Sequence, residues 1–318
     1  MARYIVRRTV GAIGQAAVVL IIAFALIRLT PGDPVMAYLS RIQSETTVSP
    51  ARVAQIRSDL GLDRSIVVQL GYYALRVVRG DLGISYTQSE PVLSVIADQL
   101  PYTLQLATAA LLIELLIGVP LGVYAATHRA SLSDYLATTI ATAGYSLPRF
   151  WIGMVLILVF AVQLGLFPVI GVGTPGNIPD ILRHLVLPAL ALGIAGAAYI
   201  ARMTRSAMLE VMGEDYVRTA RAKGVAERRV LVRHALRNAL IPVVTVVGVS
   251  LGRALGGSAI VETLFGRVGI GSLLVESITQ RDYALVQGTI LVFALGVFAV
   301  NLGVDLVYAW LNPRIRFT

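Results

Sequence analysis

Long apolar runs separated by short polar stretches dominate the chain. They lie at Thr9–Ile27, Tyr102–Ala126, Leu136–Leu164, His184–Ala201, Leu240–Val261 and Leu285–Val307. Each approaches or exceeds the about 20 residues that a helix needs to cross a bilayer's hydrocarbon core. The pattern predicts six spanning helices. The first run follows Arg3, Arg7 and Arg8 and ends at Arg28-Leu29-Thr30-Pro31-Gly32. It is too long for a signal core and no small-x-small site follows, so it reads as an uncleaved first helix with its N-terminus inside. Pro31–Gln99 carries no span. Ser49-Pro50 opens a helix that Gly61 ends, a second is expected over Ile66–Val78 before Gly80, and a third from Ser89 and Pro91 to Gln99. These signals predict a small helical segment outside the membrane between spans 1 and 2.

A few polar or helix-breaking residues interrupt the apolar runs. Glu114 sits near the middle of span 2, and Pro120 can kink that helix. A carboxyl at such depth is costly unless it faces a bundle interior or a watery path, so Glu114 is either a pathway residue or a hydrogen-bonded structural one. Arg149 follows Pro148 inside Leu147–Gly153 and marks a break in span 3. Arg253 lies near the middle of span 5, where Glu114 is a candidate partner; the sequence does not show whether they meet. Asn301 and Asp305 are polar positions one turn apart in span 6, and Tyr308 and Trp310 suit an interface. Gly118 with Gly122, and Gly248, Gly252 and Gly256, repeat at four residues, a spacing that lets helices approach closely within the subunit or against a partner.

One loop differs from all the others. Arg202–Pro242 carries nine Lys or Arg between two apolar runs. Gly213 is expected to end one helix in a left-handed conformation. Glu214 and Asp215 then start a short helix with Arg221 and Lys223 near its end, charges that suit the helix dipole. Gly224 stops it. From Ala226 a longer helix is expected to enter span 5. Arg229, Arg233 and Arg237 would share one face, with Val232, Leu236 and Leu240 as an adjacent apolar stripe.

Composition narrows the reading. The 318 residues are 56% hydrophobic and 14% charged, which describes a polytopic membrane protein. The formal net charge is +9, yet the cations flank the spans, so topology explains them better than nucleic acid does. With both termini inside, inner loops and tails hold about fifteen Lys or Arg, against about three in the short outer loops. There is no cysteine, which excludes disulfides and thiolate chemistry. The three histidines are scattered, and His184 reads as interfacial rather than as a metal ligand. No phosphate-binding loop and no hydrolase or metalloprotease motif occurs, so no cofactor, catalytic or metal residues are expected.

The run Asp215-Tyr216-Val217-Arg218-Thr219-Ala220-Arg221-Ala222-Lys223-Gly224, with His234, Asn238 and Pro242 downstream, resembles the cytoplasmic coupling loop of ATP-binding-cassette importer permeases. It is most similar to the first permease subunit of the dipeptide/oligopeptide branch. Pro31–Pro34, Arg79–Gly83, Leu147–Gly153, Val261-Glu262-Thr263, Arg281-Asp282-Tyr283 and Asn312–Arg316 resemble that branch too. The wider superfamily carries Glu-Ala-Ala where this chain has Arg218-Thr219-Ala220, which leaves open which acidic residue meets the ATPase.

The resemblance implies an all-α polytopic protein with six transmembrane helices and the type I ABC importer permease fold. It divides the chain into a tail and first helix at 1–30, an extracytoplasmic helical segment at 31–100, a five-helix core at 101–311 with the coupling loop at 206–239, and a cytoplasmic tail at 312–318. It implies ATPase coupling through Glu214, Asp215, Tyr216, Arg218, Thr219, Ala220, Arg221, Lys223, Gly224 and His234. Glu114, Arg149, Arg253, Asn301 and Asp305 are the candidate pathway or intramembrane contacts. The implied partners are a second homologous permease, two cytoplasmic ABC ATPase subunits, an extracytoplasmic binding protein, the lipid bilayer and a peptide, with no nucleic acid. The implied location is the bacterial cytoplasmic membrane, with both termini inside. ATP hydrolysis would belong to the partners, and the chain would not be an enzyme. Nickel, glutathione or another small solute is the alternative cargo. A secondary transporter and a membrane-anchored receptor are further alternatives.

Overall fold

A computed structural model describes residues 2–29, 63–129 and 131–311. The expected helix start at Ser49-Pro50, its end at Gly61, the Pro31–Pro34 stretch and the Asn312–Arg316 tail lie outside the described residues. So do the side chains of Arg3, Arg7, Arg8, Asp305, Tyr308 and Trp310. The described residues are helical apart from turns and one isolated bridge between Ile84 and Pro91. The helices are α1 (Ala2–Leu29), α2 (Ile66–Val78), α3 (Val92–Thr127), α4 (Leu132–Ser146), α5 (Arg149–Leu156), α6 (Ile178–Met212), α7 (Asp215–Ala222), α8 (Glu227–Arg229), α9 (Arg237–Leu264), α10 (Ile270–Thr279) and α11 (Tyr283–Leu311). Ile157–Gln163 and Val230–Leu236 are π-helical turns.

Val92–Thr127, Ile178–Met212 and Tyr283–Val304 are each long and apolar enough to cross a membrane. Glu227–Leu264 makes a fourth such run, bent by 41°. α1 has a shorter apolar core, Ile13–Ala25. Span 3 is divided at the expected break. Leu147 and Pro148 are extended, α4 stops at Ser146 and α5 starts at Arg149, so neither piece is span-length alone.

α3 merges two expected elements, the helix through Gln99 and the span from Tyr102. Buried Val92, Val95 and Ile96 continue the apolar period without a turn residue, and the helix carries through Pro101 and Pro120. Each proline removes one backbone donor, a loss this long helix absorbs.

The chain forms two compact units, Met1–Pro101 with Ser272–Leu295 and Tyr102–Gly271 with Gly296–Thr318. In the first, α1 packs on α2 with Phe24 and Tyr73 ring centroids 6.0 Å apart. Buried Asp282 organises the rest. Its Oδ2 accepts from Ser85 Oγ at 2.6 Å and from the Thr87 amide at 3.0 Å, and its Oδ1 accepts from the Leu285 amide. One carboxylate thus caps the start of α11 and ties down the Gly83–Glu90 loop. Arg76 donates to Asp81 at 2.8 Å and holds that carboxyl below the ordinary carboxylate range.

In the second unit α6 is central and packs against α4, α5 and α9. α3 meets it through glycines: a Cβ on Gly118 or Gly122 would strike the carbonyls of Ala197 or Ala201. That pair serves the close approach its spacing implied. The Gly248, Gly252 and Gly256 series divides. A Cβ on Gly248 would overlap Val304, Gly252 has ordinary room beside Val297 and Asn301, and Gly256 faces open space.

Candidate functional site

α7 begins at Asp215 and ends at Ala222, as the acidic start and the Gly224 stop imply. Gly213 ends α6 but keeps φ −81°, so the left-handed conformation expected there is absent. Gly224 takes that role with φ +74°. The inner side of α7 buries Val217 and Ala220 against Val230. Its other side is open: Tyr216 is 42% exposed, and Arg218, Thr219, Arg221 and Lys223 are exposed. Hydrogen bonds fix the orientation. Asn238 Nδ2 donates to Tyr216 Oη at 2.9 Å and to the His234 carbonyl at 3.0 Å, and Thr219 Oγ1 donates to the Asp215 carbonyl at 2.9 Å. Arg218 pairs with Asp215. Arg221 Nη2 reaches Glu227 Oε1 at 2.7 Å across the Gly224 turn and holds the Glu227 carboxyl below its ordinary value. Glu214, at the N-cap, makes no side-chain cap bond and stays exposed.

The stretch after α8 corrects one expectation. Arg229, Arg233 and Arg237 are exposed as the spacing implies, but Val232 is 58% exposed and outside the apolar stripe. The buried positions are Val230, Ala235, Ala239 and Val243. The step from Val230 to Ala235 is five residues because Val230–Leu236 is a π-turn, which shifts the inward face relative to a 3.6-residue period. Ala235 and Ala239 then join Ala126, Ala207 and Met208, so the ends of α3 and α6 and the start of α9 share one cluster. His234 sits half-buried within this turn.

The intramembrane candidates converge. Glu114 is 3% exposed and lies where a Cβ on Gly196 would overlap its carboxyl. The Ser250 hydroxyl hydrogen-bonds this carboxyl, Arg149 and Arg253 are the cations acting on it, and its Oε2 has no hydrogen-bond partner. Arg149 occupies the space that Gly257 leaves and donates from Nη1 to the Arg253 carbonyl at 3.2 Å. Arg253 lies over the Tyr199 ring, 5.2 Å from its centroid. Asn301 is exposed beside Gly252. The break after Pro148 thus serves the site, because it sets Arg149 at a helix start facing α9.

Comparison with known proteins places this arrangement. The model for the inner membrane component of binding-protein-dependent transport systems matches residues 118–317, and the N-terminal model of the same component matches 1–107. The chain belongs to this family.

This permease is 41% identical over 340 residues to the dipeptide transport system permease protein DppB of Escherichia coli K12, covering 99% of both chains. It is 40% identical over 317 residues to the glutathione transport system permease protein GsiC of Salmonella typhimurium LT2, covering 100% of both. Inward-facing MetNI, a methionine ABC transporter, matches with TM-score 0.59 and 22% identity over 71% of this chain and 100% of its own, which supports the fold. The chain is therefore a membrane-spanning permease subunit of an ABC importer, in the peptide branch, and a multi-pass inner-membrane protein. The secondary-transporter and receptor alternatives fall with that assignment.

Other polar groups of the permease escaped the sequence reading. Asp134 is buried and accepts from Arg205 Nε and Nη2 at 2.7 Å each, which ties α4 to α6. Thr103 donates to Glu262 at 2.7 Å and accepts from the Ile270 amide at 2.8 Å, closing the α9–α10 turn. Buried Arg267 gives Nη2 to Gln105 at 3.3 Å. Their partners are about 70 to 170 residues away in sequence, so no local pattern signals them. His184 Nδ1 lies 2.8 Å from the Asp180 carbonyl on its own helix.

Proposed function

We propose that this permease moves di- or oligopeptides inward across the cytoplasmic membrane, coupled through α7 to ATPases on separate subunits. Both termini and the 206–239 loop face the cytoplasm in this reading. A second homologous permease completes the pore, two ATPase subunits sit below it, and an external binding protein delivers the peptide. The observation that carries it is the seating of α7. One side is anchored by Val217, Ala220 and Val230, while Tyr216, Arg218, Arg221 and Lys223 stay open to a partner. α7 follows α6 directly and touches the π-turn before α9, and α6 and α9 pack on each other. A push on α7 therefore reaches two spans through packed side chains, a two-state element biased from a remote site. Glu210 and Glu214 are the described carboxylates of this loop that no arginine occupies, and Glu214, at the N-cap of α7, is assigned to the ATPase contact.

The peptide assignment is supported by DppB, and GsiC favours glutathione as a second reading. Purifying the complex and identifying the solute held by its binding protein separates the two. Gly224→Val tests the coupling. A β-branched residue at φ +74° is strained, so α7 should lose its angle while the spans stay folded. Assembly should survive, and binding-protein-stimulated ATPase activity and uptake should both collapse. Wild-type coupling in this variant overturns the assignment.

A further inference from the structure

Arg202 and Arg253 sit over the Tyr199 ring at 5.5 and 5.2 Å, and Arg202 also lies 5.7 Å from the Tyr145 ring. The two tyrosine rings stack at 6.0 Å. Stacking occupies the face of a guanidinium and leaves its edge N–H groups free for a planar anion. Among the described residues neither Arg202 nor Arg253 pairs with a carboxylate within 4.0 Å, and both are exposed. Arg253 lies inside a run of spanning length, where an exposed arginine facing hydrocarbon is costly, and Arg202 stands at the inner end of the preceding span. The ladder must therefore face water or a polar occupant. A small cleft of about 80 Å³ opens on the Arg202 side of the ladder, lined by Tyr145, Tyr199, Arg202, Thr138 and Thr142. Arg205 lines the same cleft, but Asp134 already holds it. Behind the ladder stand Arg149 and Glu114, the latter buried with a free oxygen. Three arginines against one carboxylate leave the face cationic.

We propose that Arg253 and Arg202, stacked on Tyr199 and backed by Arg149, bind the free C-terminal carboxylate of a peptide within the membrane path. This rests on the peptide reading above and adds a polarity to it: the passing peptide is held by its acid end.

The test uses the whole transporter, with partner permease, ATPases and binding protein, in proteoliposomes. Two peptides differing only in a free or amidated C-terminus are each loaded onto the binding protein, and uptake is expressed per loaded binding protein. The wild type should favour the free acid by about tenfold, the scale of one charge-assisted hydrogen bond. Arg253→Ala should bring the two forms near equality by slowing the acid. Arg253→Lys should keep part of the preference, and Arg202→Gln, at the other rung, should reduce it. A wild type indifferent to the C-terminus overturns the proposal. So does an unchanged acid-to-amide ratio in both Arg253→Ala and Arg202→Gln, which would make the ladder a helix clamp. Uptake of neither peptide alongside ATP-driven uptake of another solute sinks the peptide reading itself, whereas equal uptake of both forms sinks only this site.

Discussion

Around α7, charges ring an apolar anchor; around Glu114, charges occupy space that glycines vacate. The two regions belong to one compact unit and solve opposite problems. Full burial of a valine such as Val217 contributes about 1.5–3 kcal/mol, whereas an exposed pair such as Arg221–Glu227 contributes about 0–1 kcal/mol. The small apolar patch therefore places α7, and its arginines remain available to another surface. In the spans that balance is reversed. Apolar neighbours are everywhere, so they specify little, and ionic groups are expensive to bury. Gly196 and Gly257 leave slots that Glu114 and Arg149 enter. The lesson is that cheap charges on the loop are free to bind, while costly charges in the spans must be held in place by shape.

Breaking the slot should have the largest effect. Gly196→Val drives a side chain into the Glu114 carboxyl, an overpacking of about 1–3 kcal/mol added to a displaced buried charge. Folded yield and thermal midpoint in detergent should both fall sharply. Gly256→Ala, facing open space, should leave them at wild-type values. Equal damage from the two substitutions would mean that glycine composition matters here and the slot does not.

Next in size is the anchor. Val217→Asp buries an unpaired carboxylate beside Ala220 and Val230 and should release α7. The spans should still fold, so membrane abundance holds while ATPase stimulation by the binding protein is lost. If stimulation persists, α7 is placed by its ion pairs, and the comparison fails at its first term.

The smallest effect concerns Arg221–Glu227. The Glu227 carboxyl is held below its ordinary value by the arginine's hydrogen bond. A depressed carboxylate contributes stability above its unfolded pKa of about 4.3 and loses it as pH falls through the lower folded value. Protease protection of the Gly224 turn should therefore weaken slightly on the acid side. Glu227→Gln should abolish that slope, and a slope surviving in it would assign the titration elsewhere.

Much of this protein could be read from local pattern. The apolar runs, the break before Arg149, the acidic start of α7 and its stop at Gly224 each depend on a few neighbouring residues, and the structure agrees with them. Partnership was hidden. The four-residue glycine repeats announced close packing, but only Gly118, Gly122 and Gly248 are crowded, while Gly256 is open. Val232 left the stripe expected at Val232, Leu236 and Leu240 because one π-turn adds a residue to the period, while Leu236 and Leu240 stay partly buried.

Sequence by itself determined that this chain crosses a membrane repeatedly and where a short structured helix interrupts the basic loop, because hydropathy and helix caps are properties of adjacent residues. Tertiary structure alone decided that Glu114, Arg149 and Arg253 share one site, that Asp134 holds Arg205, and that Tyr199 sits between two arginines. Those meetings depend on helix rotation and crossing, which are set by packing among residues up to about 140 positions apart.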